Sequence, residues 1–294
     1  MGSERERASF GDPKVFAVEM SRLLNSQEFG DIKFIVGEEK RVFFGHRCVL
    51  GTRCEVFRAM FADQAAKGDT SLDPYILSDV QPTVFHTLLE FVYTNRCTLS
   101  LDTVVDVMAI SIEYGLADLT RVCVEFIRDT LSVDNVCEAT QAALTYQQDH
   151  LADKCLAVIE ENTEAVFKTR GFTELSDDTL SYILGSDNLM ADEGEILKAV
   201  KEWATVNSVV SGESMGEVCK NTIEHIRFPL IDPEELAFID KENERKQYIP
   251  ISLIKNAWKF HATKEVDPSR KQTRPRAGTL PKESLKVLGL GART

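Results

Sequence analysis

The stretch from Gly30 to Thr94 admits fewer folds than any other part of this chain. Ile32, Phe34 and Val36 alternate with Lys33 and Ile35, which is the period of a strand with one well-buried face. Gly37-Glu38-Glu39-Lys40 is a polar turn, and Val42-Phe43-Phe44 returns from it, so the spacing predicts a hairpin. His46 to Phe61 is dense in Cys, Val, Leu, Phe and Met and fits two short helices broken near Gly51. Tyr75-Ile76-Leu77 is short and bulky enough for a third strand. Pro82 sits where a first helical turn needs no N–H. Behind it Val84, Phe85, Leu88, Leu89 and Val92 line one helix face.

Ahead of the hairpin, Phe16, Met20, Leu23 and Leu24, with Val15 and Val18, mark a helix between Pro13 and Asn25-Ser26. Its apolar surface is wider than one stripe, and so much exposed apolar surface is uncommon on a monomer. After Thr94, one stripe joins Leu101, Val104, Val105, Met108 and Ile112 and is closed by Gly115. A second joins Leu119, Val122, Cys123, Phe126 and Ile127. From Val133 onward no strand pattern appears. Helical patterns run from Asn135 to Tyr146 and Leu151 to Ile159, through Leu175, Leu180, Ile183 and Leu184, and through Ile196, Val200 and Trp203. These predict stacked helix pairs, each hiding a stripe on the next.

Hydrophobic residues at 43% and charged residues at 28% make a soluble globular balance. The net charge of −13 is uneven: residues 264–294 carry eight Lys and Arg against three Asp and Glu. The body ahead of them is therefore strongly acidic, which argues against nucleic-acid binding. The first residues are charged and lack the apolar core of a secretory signal. Seven cysteines without a CxxC pair read as buried reduced thiols of a cytoplasmic or nuclear protein.

Catalytic and metal-binding constellations are thin. His46 and Cys48 are two apart and Cys54 follows, but no fourth ligand stands at zinc-site spacing. No phosphate loop, HExxH or GxSxG occurs. The acidic groups at 160–164 and 192–195 read as solvated helix faces or first-turn charges. No cofactor, metal, membrane or enzymatic activity is expected.

The words Asp31-Ile32-Lys33-Phe34, His46-Arg47-Cys48-Val49-Leu50, Phe57-Arg58-Ala59-Met60-Phe61, Leu77-Ser78-Asp79-Val80 and Leu88-Leu89-Glu90-Phe91-Val92-Tyr93-Thr94 occur in an order that resembles a BTB/POZ domain. Ile226-Arg227-Phe228-Pro229-Leu230, Pro233-Glu234-Glu235-Leu236 and Ile254 to His261 resemble a BACK domain, the helical module that commonly follows BTB. The resemblance implies an α+β BTB/POZ domain, a small sheet flanked by helices, over 12–131. An all-α BACK helical domain over 132–263 would follow. A disordered stretch, 1–11, and a basic Pro/Gly-containing tail, 264–294, would flank them.

Such proteins are implied to be interaction modules and homodimers. In the resemblance the first helix, with Val15, Phe16, Met20, Leu23 and Leu24, is the dimer interface; the alternative is packing on its own domain. Asp31, His46 and Arg47 would form a charged pocket, or would satisfy one another and nearby backbone. The family also implies a substrate adaptor for a cullin-three ubiquitin ligase. The contact would run through Phe57, Met60 and Phe61 and the segment behind them. There the usual hydrophobic residue and glutamate are replaced by Ala65 and Lys67, which weakens that contact; the alternative is a non-degradative dimeric scaffold. The tail word Arg276-Ala277-Gly278-Thr279 looks like a basophilic kinase site at Thr279; alternatively, the segment packs on the BACK domain. The client protein is not written in the sequence.

Overall fold

The computed structural model describes residues 11–66, 74–264 and 271–279. It divides into two compact units, Met1–Thr130 and Leu131–Thr294. The expected disorder of 1–11 falls almost wholly outside the described residues.

In the first unit, α1 (Pro13–Ser21) opens on Asp12, whose carboxylate accepts from the Lys14 amide at 2.8 Å. The helix ends short of the expected Asn25-Ser26, and turns carry the chain to Asn25, which has a left-handed φ of 51°. Strands β1 (Ile32–Val36) and β2 (Arg41–Gly45) pair antiparallel with Phe34 opposite Phe43. Gly37 has φ +73°, and a Cβ there would lie 2.9 Å from Pro82 Cδ, so the turn needs glycine. Strand β3 (Tyr75–Leu77) lies parallel to β1 on its other edge, with Ile35 opposite Ile76. The order β2-β1-β3 puts β1 in the centre.

Between β2 and β3 run α2 (Arg47–Arg53) and α3 (Glu55–Ala66). The break falls at Cys54, not near Gly51, which stays inside α2. One glycine costs a helix only about 1 kcal/mol. Cys54 is extended and buried, with its thiol donating to the Tyr114 carbonyl at 3.2 Å. Helix α4 (Pro82–Thr94) is buried over far more than the single stripe expected, adding Thr87, Phe91, Tyr93 and Thr94. An apolar helix of this kind belongs in a core. Rings of Phe34, Phe57, Phe85 and Phe43 meet there, with Phe34 and Phe85 centroids 5.2 Å apart. Helices α5 (Val104–Glu113) and α6 (Ala117–Asp129) close the unit. At their junction Gly115 has φ +67°, its amide donates to Ile112, and the Leu116 amide donates to Ser111, the Schellman pattern. Leu101 and Ile112, placed on the apolar stripe by the sequence, are exposed, because α5 begins only at Val104 and turns Ile112 outward.

The second unit is helical among its described residues. A pair, α7 (Val136–Thr145) and α8 (Asp149–Glu161), is followed by the single turns α9 (Thr163–Phe167) and α10 (Arg170–Thr173). Then come α11 (Asp177–Leu184) and the long α12 (Glu193–Ser211). Ser176 caps α11 and Asp192 caps α12. Trp203 of α12 is buried and donates to the Leu175 carbonyl at 2.8 Å. After the short α13 (Met215–Val218), α14 (Pro233–Lys246) and α15 (Ile251–Thr263) finish the helical body. Buried Asn243 ties them: its amide donates to the Ile249 carbonyl, and its oxygen accepts from the Tyr248 and Ile249 amides.

Phe34→Ala is expected to destabilise the first unit by about 3–5 kcal/mol. Hydrogen exchange of the β1 amides measures this, with exposed Ile76→Ala on the neighbouring strand as a near-neutral control. Asn243→Ala strands two amides and a carbonyl, each a loss of about 1–3 kcal/mol if left dry. Both tryptophans, Trp203 and Trp258, lie in the helical unit, so fluorescence during urea unfolding is expected to shift to a lower midpoint. An unchanged midpoint refutes the tie.

Candidate interaction surfaces

Helix α1 lies against α4 and buries only Ala17 fully. Val15, Phe16 and Val18 stay 55%, 61% and 54% exposed, while Met20, Leu23 and Leu24 are half-buried. The segment is tied down behind them, where Asn25 accepts from the Phe44 amide at 2.9 Å. A fixed helix therefore presents apolar side chains to solvent.

Of the three residues expected in a charged pocket, two stay together and one does not. Asp31 and Arg47 meet: the Asp31 carboxylate accepts from the Arg47 amide at 2.7 Å, the first N–H of α2. A carboxylate suits that position because helix N-termini carry unpaired N–H groups and partial positive charge. The Arg47 guanidinium donates from Nε to the Asp31 carbonyl at 3.4 Å and from its fork to Gln64 at 2.8 Å, and it stands over the Phe61 ring at 5.0 Å. His46 is a correction to the pocket, since it is buried in a network of its own. Its Nε2 faces the Glu28 carbonyl at 2.8 Å, and its Nδ1 faces the Tyr93 hydroxyl at 2.8 Å. A carbonyl only accepts, so Nε2 carries the hydrogen and Nδ1 accepts from Tyr93. Burial pushes the Tyr93 phenol up to about 12, keeping it a donor.

Beside Arg47 an open cleft of about 590 Å³ runs between α2 and α3, lined by Cys48, Thr52, Arg58 and Phe61. Of the expected cullin-contact residues, Met60 and Phe61 are half-buried and Ala65 is exposed. Phe57 is wholly buried against Phe34 and Tyr114, so it supports the helix and offers no contact surface. Lys67 lies outside the described residues. Cys48 is exposed, five other cysteines are buried, and all seven are free. Burial pushes the Cys137, Cys155 and Cys219 thiols up to about 11. Among the described residues no group of three His, Cys, Asp or Glu is placed to hold a metal, and no helix is long and apolar enough to cross a membrane.

The tail word sits in the second unit. Thr279 is exposed and donates to the Arg276 carbonyl at 2.8 Å. Arg276 itself is only 1% exposed. Its Nε donates to Glu193 at 2.8 Å, and its fork reaches the carbonyls of Leu184 (2.8 Å), Ser186 and His225 (3.1 Å). Arg227, also buried, pairs with Asp187, and its amide donates to Glu193 at 3.0 Å. His225 is held below its ordinary value, first by burial and then by the charge of Arg276. Glu193 corrects the solvated reading of the 192–195 acids: Asp192 and Glu195 do face solvent, but Glu193 is buried. Sequence reasoning missed this cluster. The only local signals are the acid at the first position of α12 and the glycine two residues after Arg276.

Residues 20–131 match the family model described as BTB/POZ domain, and residues 136–239 match the model described as BTB And C-terminal Kelch, the BACK domain. BTB/POZ domain-containing protein 19 of Bos taurus is 37% identical over 95% of this chain and 96% of its own length. Its Homo sapiens namesake is 36% identical over the same shares. BTB/POZ domain-containing protein 9 of Drosophila melanogaster is 30% identical over 75% of this chain and 29% of its own. Two domain matches in sequence order, with a relative matched along nearly its whole length, show that this chain belongs to the BTB/POZ family, in the group whose BTB domain is followed by a BACK domain and whose members are protein-interaction modules.

Proposed function

We propose that this protein is a non-enzymatic, homodimeric interaction module that brings a client protein to a partner held by the BTB domain. The observation that carries the reading is the fixed helix α1 with Val15, Phe16 and Val18 more than half exposed. Cullin-three is the proposed partner, which would make the protein a substrate adaptor of a cullin-RING ubiquitin ligase. Half-buried Met60 and Phe61, beside the cleft, supply apolar surface for that contact. One observation favours the second reading, a dimeric scaffold without cullin. Exposed Ala65 offers little area where the family usually presents a larger apolar residue. The proposed location is the cytoplasm, with the nucleus as a second compartment; five buried free thiols support a reducing environment.

Light scattering of the full chain at micromolar concentration is expected to give twice the monomer mass. Phe16→Asp with Leu23→Asp is expected to give monomer, because a dimer would then bury unpaired charge. A wild-type monomer ends the dimer reading. In a pulldown with purified cullin-three, Ala65→Met with Lys67→Glu is expected to tighten binding by roughly tenfold, a gain of about 1–3 kcal/mol from one anchor and one charge pair. If neither wild type nor the double variant binds, the scaffold reading replaces the adaptor.

A further inference from the structure

The buried Arg276 cluster belongs to none of the surfaces assigned above. Two features set it apart from ordinary core. The first is how the segment is held. Residues 271–279 form two single turns, Lys271–Thr273 and Ala277–Thr279, neither of which buries a residue. Arg276 is the one fully buried residue of the segment, and two backbone bonds flank it: Arg227 Nη1 donates to the Arg274 carbonyl at 2.7 Å, and the Gly278 amide donates to the Asp187 carbonyl at 3.4 Å. A buried guanidinium–carboxylate pair gains little net energy, because desolvation offsets the attraction. Undocking nevertheless leaves buried Glu193 short of a partner, a loss that a competing guanidinium in the same place makes good.

The second feature is what it plugs. Glu193 and the carbonyls of Leu184, Ser186 and His225 all accept from Arg276. Convergent acceptors of this kind match the planar fork of donors on a guanidinium and select it over ammonium. Glu193 does not depend on Arg276 alone, since the Arg227 amide also donates to it. Without Arg276 the cluster holds one guanidinium, Arg227, against two carboxylates, Asp187 and Glu193, so the vacated cavity favours a cation. Selectivity extends two residues further. A Cβ on Gly278 would stand 2.1 Å from the Asn188 carbonyl oxygen, a backbone clash that no rotamer relieves.

We propose that the helical unit carries an arginine socket, that residues 274–279 fill it in cis as a detachable ligand, and that the vacated socket takes an Arg-Xaa-Gly segment of another chain. The docked state also hides the arginine that a basophilic kinase would read three residues before Thr279. Modification of Thr279 therefore requires release first.

The test uses the full chain and a fluorescein-labelled peptide of residues 271–279, read by anisotropy. Gly278→Val in the protein expels its own segment by steric clash and leaves every socket residue in place. Arg276→Ala empties the socket by a second route, so a folding defect in one variant leaves the other decisive. Both variants are expected to bind the peptide at least tenfold more tightly than wild type, whose socket is filled. Peptides carrying Arg276→Lys or Gly278→Val are expected to bind at least tenfold more weakly than the unmodified peptide. Equal binding to wild type and both variants, or no binding to any of them, overturns the proposal. So does full retention of affinity by the Arg276→Lys peptide.

Discussion

Strand β1 has to be covered on both edges and buried on one face, and the first unit is arranged to meet that demand. Phe34 and Val36 are wholly buried, and the strand's backbone pairs with β2 on one side and β3 on the other. The β2 pairing needs only a tight turn. The β3 pairing is parallel, so a crossover must span the sheet, and α2 and α3 are that crossover. Its inner side supplies Phe57 to the aromatic core; its outer side carries Arg47, Met60 and Phe61. Packing has thus sorted the recognition words of the sequence into support and surface.

Much of this was legible because it is periodic. Ile32, Phe34 and Val36 announce β1 by a period of two, and the fivefold apolar face after Pro82 announces α4. Failures fell where a tertiary contact outranks local preference. Gly51 invites a break in sequence, but the chain breaks at Cys54, whose thiol meets a carbonyl 60 residues away. The apolar face of α1 was readable because it holds more large apolar residues than one stripe can hide. His46 was misplaced because its neighbours Asp31 and Arg47 are charged, and only the fold reveals Tyr93 and Glu28 around it.

Arg276 was illegible for a different reason. Packing of the tail word on the BACK domain was one of two sequence readings, but neither named a partner for its arginine, and an acid in the first turn of α12 reads as a dipole charge. Their pairing spans 83 residues of sequence and has no periodicity to betray it. Burial here comes from satisfied hydrogen bonds, which leave no mark on hydropathy. Clusters of this type are where a single sequence says least.

The burial of His46 bears on the exposed N-terminal segment as well. Its Nε2 holds the Glu28 carbonyl, and the next residue, Phe29, has φ 58° and is 81% exposed. A non-glycine residue in the left-handed region carries local strain, and an exposed phenyl ring forgoes its hydrophobic gain, so Phe29 costs the isolated chain twice. Full burial of a Val or Phe side chain contributes about 1.5–3 kcal/mol. Val15, Phe16 and Val18, each just over half exposed, would add roughly 5–10 kcal/mol across two copies by that scale. Association costs about 4–15 kcal/mol in lost freedom. Helix α1 alone therefore comes near balance, and other exposed apolar side chains of the first unit, Phe29 at 81% among them, weigh in the outcome.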